Sequence, residues 1–327
     1  MPNEIELKLR IDAADAPRLF GHPALTQGLE HGPLTRQLIS TYFDTPDLRL
    51  LDAEISLRVR SMSGGWFQAV KAAGSSVAGL HQRMEWEDII GGSEPDFSKI
   101  TEPALAAIFA DHQLREALQP VFVTDVERTE WQLRMQDGTA LEVALDLGEL
   151  EVGSHIRETI SEVEIELKHG DAAQVFSLAL ALQADISLTI ENISKAQRGY
   201  GHYRTLAPEL AIFAPAALPQ TLDKPALTKL AWTCLHQLQS MQALLETNTV
   251  EFTTLAIANI HTILQHLVSA LPLYKQTPAA LLSEYHWLQE AAQASPPDEQ
   301  TAHAVNTLLQ GQRTQRLLLQ TGAWLLA

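Results

Sequence analysis

Charged and apolar residues alternate strictly over residues 4–10: Glu4, Glu6, Lys8 and Arg10 in one phase, Ile5, Leu7 and Leu9 in the other. A period of two predicts a β-strand with one apolar and one charged face. The same phase returns at Glu162-Val163-Glu164-Ile165-Glu166-Leu167-Lys168. Between these copies, β-type patterns cover residues 37–43, 55–60, 66–71, 82–87, 121–133 and 140–151, and the second copy belongs to a strand over 158–168. Turn chemistry at Asp44-Thr45-Pro46-Asp47, Ser63-Gly64-Gly65 and Asp137-Gly138 makes the connections short and the eight strands mostly antiparallel. Helices are predicted over 12–20, with Asp12 as N-cap and Pro17 limiting its length, and over 102–118 and 172–182.

The charged phases add up to more than a solvated face. They hold Glu4, Glu6, Lys8, Arg10, Arg58, Arg60, Lys71, Arg83, Glu85, Glu87, Arg128, Glu130, Glu142, Asp146, Glu162, Glu164, Glu166 and Lys168, while the opposite phase is Ile, Leu, Val and Trp. Solvent-facing strands usually mix Ser, Thr, Gln and Lys rather than repeat Arg and Glu. Closing the sheet removes its edges and turns the charged face inward. The expected first domain, residues 1–205, is therefore α+β: an eight-stranded, mostly antiparallel closed barrel with a charged lumen and helices over its apolar outside.

At Ala207 the pattern changes. Pro208, Pro215 and Pro219 punctuate a linker over 206–220, and residues 221–327 read as helix. Leu227, Leu230, Cys234, Leu238, Met241 and Leu245 form one apolar stripe, and Ile257, Ile260, Leu264, Leu267 and Leu271 a second. Two more helices are expected near 278–293 and 299–326, giving a small bundle of four segments.

Composition narrows the class. The chain has 327 residues and a net charge of −17, which argues against electrostatic binding of duplex DNA. Residues 1–206 carry 18 Lys/Arg and 32 Asp/Glu, so the basic residues are concentrated in the strands of an acidic domain; residues 207–327 carry only 5 and 8. One cysteine, Cys234, excludes an internal disulfide, and neither a signal peptide nor an apolar run of membrane-spanning length is recognised. A cytoplasmic protein is expected.

Lys8, Arg58, Arg60, Lys71, Arg83, Arg128, Lys195 and Arg198 offer enough ammonium and guanidinium groups to hold several phosphates. The carboxylates Glu4, Glu6, Asp146, Glu164 and Glu166 either neutralise those bases or bind a hard cation, and oxygen ligands without a His/Cys cluster select Mg²⁺ or Mn²⁺. No phosphate-binding glycine loop and no nucleophile paired with a base is present in the sequence.

Glu4-Ile5-Glu6-Leu7-Lys8 resembles the ExExK signature of the CYTH proteins, the triphosphate tunnel metalloenzymes. The likeness extends through Thr41-Tyr42-Phe43-Asp44-Thr45-Pro46, Leu57-Arg58-Val59-Arg60, Lys71, Arg83-Met84-Glu85-Trp86-Glu87, Thr124-Asp125-Val126-Glu127-Arg128-Thr129, Leu145-Asp146-Leu147-Gly148, Glu164-Ile165-Glu166-Leu167-Lys168 and Ser194-Lys195-Ala196-Gln197-Arg198-Gly199-Tyr200. The resemblance implies a tunnel that binds a triphosphate with two divalent metals and cleaves it. On that basis Lys8, Arg58, Arg60, Lys71, Arg128 and Lys195 grip the phosphates, with Arg83 and Arg198 assisting. Glu4, Glu6, Asp146, Glu164 and Glu166 hold the metals, Glu4 or Glu6 orients the attacking water, and Lys8 steadies the reacting phosphoryl group.

The helical tail resembles a short, degenerate CHAD domain, an α-helical companion of CYTH that holds polyphosphate with repeated His and Arg. Residues 251–264 instead include Phe252, Thr253, Thr254, Leu255, Ile257, Asn259 and His261, so packing or homodimer formation is the expected role. The functional expectation is hydrolysis of inorganic triphosphate to pyrophosphate and phosphate, with no DNA or membrane partner. Its alternatives are a thiamine or nucleoside triphosphatase or class IV adenylate cyclase-like activity, and a non-catalytic polyphosphate- or nucleotide-binding module.

Overall fold

The alternating segment 4–10 lies inside the first strand of a closed barrel. In the computed structural model, which describes residues 3–204, 212–246, 250–293 and 299–327, the strands are β1 (Asn3–Ile11), β2 (Leu29–Asp44), β3 (Ile55–Met62), β4 (Gly65–Val77), β5 (Leu80–Ile90), β6 (Gln119–Arg134), β7 (Ala140–Val152) and β8 (Ile156–His169). Their order is β5-β4-β3-β2-β6-β7-β8-β1, and pairing of β1 with β5 closes the ring. The two charged copies meet across one ladder: β1 runs antiparallel to β8, with Glu6 opposite Glu166 and Lys8 opposite Glu164. Ser63 and Gly64, at φ +50° and +80°, form the two-residue turn between Met62 and Gly65, where positive φ matches the twist of a hairpin.

The chain divides into two compact units. The first takes residues 1–76, 80–175 and 193–206, and the second takes 77–79, 176–192 and 207–327. In the first, the outer face of β3 and β4 is apolar, as the alternation predicts. Ile55, Leu57, Val59 and Val70 pack with Leu105, Phe109 and Leu114 from two short helices, Pro103–Phe109 and His112–Ala117. The single helix expected over 102–118 is broken here because Asp111 caps the second piece, its Oδ1 accepting from Gln113 N at 2.9 Å. The helix expected over 12–20 is likewise only a 3₁₀ turn, Ala16–Leu19, with Pro17 inside it.

The inward face is not charged along its whole length. Leu38, Tyr42, Phe122, Val126, Leu150 and Ile160 share the inward phase of their strands, yet they form an apolar cluster with Tyr200. Phe122 stacks on Tyr42 at 4.4 Å between centroids and meets Tyr200 edge-on at 5.2 Å. Tyr200 belongs to helix Lys195–Gly201, whose cap is reciprocal: Ser194 Oγ accepts from Gln197 N, and Gln197 Oε1 accepts from Ser194 N. Gly199 is needed here because a Cβ at that position would lie 2.4 Å from the Phe122 ring. The barrel is thus filled by an apolar plug in one part and charged in the rest.

Residues 212–220 of the expected linker carry no helix or strand, while Ala207 and Pro208 lie outside the described residues. The second unit contains the strand Leu188–Ile190 and helices Lys224–Glu246, Val250–Ala270, Ala279–Ala291, Glu299–Gln310 and Gln312–Leu326. The four expected tail segments are five, since Gly311 interrupts the last; Thr314 Oγ1 and Gln315 Nε2 donate to the carbonyls of Leu308 and Leu309 at that break. Both predicted stripes face inward, with only Leu230 half-buried. Phe252–Leu273 is long and apolar enough to cross a bilayer by length and hydropathy, which corrects the expectation that no such run exists; half of it is buried within the protein.

The turn after β2 depends on Asp44, which is fully buried and accepts from the backbone N–H of Thr45, Leu50 and Leu51 at 2.7, 2.8 and 3.0 Å. Asp44→Asn replaces one acceptor oxygen with a donor facing donors. We expect a loss of about 2–3 kcal/mol in urea unfolding of the substrate-free protein. An unchanged midpoint would contradict this role.

Candidate active site

Because β1 is flanked by β5 and β8, its three inward charges face cationic and anionic neighbours at once. Arg83 of β5 is opposite Glu4, Glu164 of β8 is opposite Lys8, and Glu166 is opposite both Glu6 and Glu142 of β7. Around the ring, Asp146 is opposite Arg128, Ser40 opposite Arg60, Tyr42 opposite Arg58, and Ser56 opposite Lys71. The cavity inside the ring measures about 650 Å³ and is lined by Glu4, Glu6, Lys8, Arg58, Arg60, Lys71, Arg83, Arg128, Glu164, Glu166 and Lys195 among others.

The deepest charges form one network. Lys8 Nζ donates to Glu164 and lies 3.2 Å from Glu6 Oε1. Lys195 bonds Glu162, and reaches Asp146 at 2.6 Å and Glu164 at 3.0 Å. Arg128 clamps Asp146 with two bonds of 2.6 Å and reaches Glu164 Oε2 at 2.5 Å. Burial pushes every charge here toward its neutral form, and for two carboxylates the partners outweigh it: Asp146 is held down to about 2 by Arg128 and Lys195, and Glu164 is held well below the usual carboxylate range by Lys195, Lys8 and Arg128, whereas burial leaves Glu162 raised despite Lys195 and Lys8.

A second network lies on β3, β4 and β5. Lys71 bonds both oxygens of Glu4 at 2.9 and 2.8 Å and lies 3.2 Å from Glu85. Arg58 reaches Glu85 at 3.2 Å and Glu87 at 3.7 Å. Glu85, between two cations, is held down to about 2 despite burial, whereas Glu4 is pushed up to about 7 by burial, which Lys71 offsets only in part. Arg60 differs from all these: its Nε donates to Ser40 Oγ at 2.9 Å, and among the described residues it makes no ion pair. Burial, with Arg58 and Arg128 beside it, lowers its guanidinium to about 10.

Two residues named from the sequence stand apart from the cavity wall. Asp146 is fully buried behind Arg128 and Lys195. Arg198 bonds Glu158 Oε1 and the Thr159 carbonyl, both at 2.6 Å, and so ties its helix to β8. Conversely, Glu162, Glu85, Arg36 and Glu130 were not singled out as site residues. Glu162 is buried beside Asp146 and Glu164, and Arg36 pairs with Glu130 on the cavity wall. Strand phase marks the three glutamates as inward-facing, but alternation cannot rank members of one phase.

The carboxylates suit a hard cation. Oxygens of Asp146, Glu162 and Glu164 lie within 4.8 Å of one another. Among the described residues, Glu6 Oε1 and Glu162 Oε2 are buried and accept no hydrogen bond, although Lys8 Nζ is 3.2 Å from the former and Arg198 Nη1 3.8 Å from the latter. Anionic oxygens without a hydrogen bond, next to a cluster of carboxylates, are a donor set for a divalent metal ion.

A closed antiparallel barrel with a lumen of paired cations and carboxylates defines the class. The chain belongs to the CYTH family, whose domain matches residues 2–200. It is 35% identical over 202 residues to an inorganic triphosphatase of Haemophilus influenzae, an alignment covering 61% of this chain and 55% of that protein. The chain thus spans about half the length of the curated relative it matches. Among solved structures, it is similar to a Hippeastrum candidate adenylyl cyclase described as having a dominant triphosphatase activity (18% identity, 61% of this chain and 96% of that one, TM-score 0.45). A Bacillus halodurans protein described as a candidate adenylate cyclase is similar at 17% identity, 61% and 98% coverage, and a TM-score of 0.40.

The raised Glu4 gives a pH signature. Its folded value of about 7 exceeds the ordinary 4.5, so its contribution to stability is full below pH 4.5 and is lost as pH rises through 7. Glu85 and Asp146 act oppositely and only at lower pH, where their stabilisation is lost toward pH 2. Glu4→Gln should therefore gain stability relative to wild type between pH 4.5 and 7, by on the order of 2–3 kcal/mol, and level off above. Chemical denaturation in chelator across that range checks this, and a pH-independent difference would contradict it.

Proposed function

We propose that the barrel hydrolyses inorganic triphosphate to pyrophosphate and phosphate. The observation carrying this reading is Arg60, a half-buried guanidinium beside Arg58 and Arg128 that, among the described residues, has a hydroxyl for its partner and no carboxylate. A cation so placed demands an anion from outside, and a polyphosphate spans several such groups at once. The likeness to an inorganic triphosphatase supports the same reaction.

In this reading Lys8, Arg58, Arg60, Lys71, Arg83, Arg128 and Lys195 bind the phosphate chain. Arg198 contributes through the helix that carries Lys195. The carboxylates Glu4, Glu6, Asp146, Glu164 and Glu166, joined by Glu162, would hold Mg²⁺ or Mn²⁺, which when bound would neutralise phosphate charge and supply a water of lowered pKa. Lys8 and Lys195, which pair with Glu6, Asp146, Glu162 and Glu164, would exchange part of that pairing for phosphate oxygens when substrate enters. Glu4 or Glu6 orients the attacking water, and Lys8 stabilises the charge on the reacting phosphoryl group. Residues 1–205 form the catalytic domain, and 221–327 a helical domain for packing or self-association. A cytoplasmic location suits the single buried thiol, which burial pushes up to about 12.

A second reading has an observation of its own. A neighbouring cavity of about 390 Å³ shares Ser56, Lys71, Arg83, Ser194 and Ala196 with the first and adds Leu51, Ile55 and Tyr200. It has room for an organic group, as a thiamine or nucleoside triphosphatase requires.

Glu164→Gln separates enzyme from binder. Turnover of tripolyphosphate should fall by on the order of 10²-fold or more, with anion binding in chelator retained or tightened. Unchanged turnover would overturn the catalytic assignment. Arg60→Ala should raise KM for tripolyphosphate about tenfold or more, and equal KM values would remove the observation on which the reading rests.

A further inference from the structure

We propose that buried His81 is a positioning residue that aims Arg83 at the phosphate chain without neutralising it, an inference that rests on the triphosphate reading above. His81 is 1% exposed and lies two residues before Arg83 on β5, so both side chains share the inward face. Across the β1 ladder His81 is opposite Glu6, and Arg83 is opposite Glu4.

The geometry determines which atom donates. Arg83 Nη2 lies 2.7 Å from His81 Nδ1. A guanidinium has only donors, so Nδ1 is the acceptor and the imidazole carries its proton on Nε2. That nitrogen faces Ser76 Oγ at 3.3 Å. The carboxylates nearest Arg83 are farther away, Glu4 Oε2 at 4.0 Å from Nε and Glu6 Oε1 at 3.8 Å from Nη2, beyond hydrogen-bond reach. Among the described residues, His81 is thus the hydrogen-bond acceptor that fixes the Arg83 guanidinium.

Cations of the lumen are therefore held in two ways. Arg58, Lys71, Arg128 and Lys195 rest on carboxylates, which orient them but also cancel their charge. Arg60 and Arg83 take their hydrogen bonds from a hydroxyl and an imidazole, neutral acceptors that orient them, and the carboxylates within ion-pair range of Arg83 make no hydrogen bond to it. A preorganised guanidinium held by a neutral acceptor is well placed for a phosphate oxygen, because no hydrogen bond to a carboxylate has to be broken first.

The test is a double-mutant cycle read as KM and kcat for tripolyphosphate, with Kd for the same anion measured by calorimetry in chelator. His81→Leu should raise KM and Kd about tenfold, the value of one charge-assisted hydrogen bond, with kcat changed much less. In an Arg83→Ala background the same change should have no further effect. His81→Asn, whose amide oxygen can take the place of Nδ1, should restore most of the loss, and it carries the comparison if His81→Leu folds poorly by circular dichroism. ¹⁵N NMR of the wild type should find Nδ1 of His81 unprotonated and Nε2 protonated. Equal losses in both backgrounds, wild-type KM in His81→Leu, or a proton on Nδ1 would overturn the proposal. A wild type that neither binds nor cleaves tripolyphosphate would overturn the triphosphate reading and this proposal together, and differs visibly from an active wild type with an additive cycle.

Discussion

The structure depends on one constraint: charges taken out of water have to be matched at close range. Moving an isolated carboxylate or guanidinium into a barrel costs several kcal/mol, and that cost is offset only by partners with good geometry. Lys8, Lys195 and Arg128 surround Asp146, Glu162 and Glu164, while Lys71 and Arg58 surround Glu4 and Glu85. Each network spans several strands, so the ring of β-ladders has to close before the charges can find one another. The apolar outer face then requires helices, and the short segments after β5 supply them.

The same constraint explains why the barrel is not charged throughout. Near helix Lys195–Gly201 the inward phase carries Tyr42, Phe122, Leu150 and Ile160, which pack as an ordinary core around Tyr200. This plug provides dispersion and burial that the paired charges do not, and it shelters the helix that places Lys195. Stability and binding capacity are thus divided along the barrel: one part is packed, and the other keeps its polar groups poised for an anion and a metal.

Much of this was legible in the sequence. Alternation located all eight strands, and the repeat of one charged phase implied closure. What remained hidden depended on position along the barrel. Leu38 and Arg36 share a phase on β2, yet one lies in the plug and the other on the cavity wall. Glu162 and Glu166 are equivalent by pattern; only the register with Asp146 puts Glu162 into the buried trio. Arg198 follows the Lys195 motif closely, but the helix turns it onto Glu158. His81 gave no signal because a lone histidine in a strand has no spacing to read. In the tail, the stripes identified helices and buried faces, while nothing in its composition points to a ligand.

The central claim is that this lumen is a metal-dependent triphosphate site, and the direct measurement is phosphate release from tripolyphosphate, ATP and thiamine triphosphate in parallel, with Mg²⁺ or Mn²⁺ and with chelator. The account predicts fast turnover of tripolyphosphate, abolished by chelator, with the organic triphosphates cleaved slowly. Silence on all three substrates with either metal, alongside tight binding of the anion, would contradict it and leave a charged barrel that holds polyphosphate without cutting it.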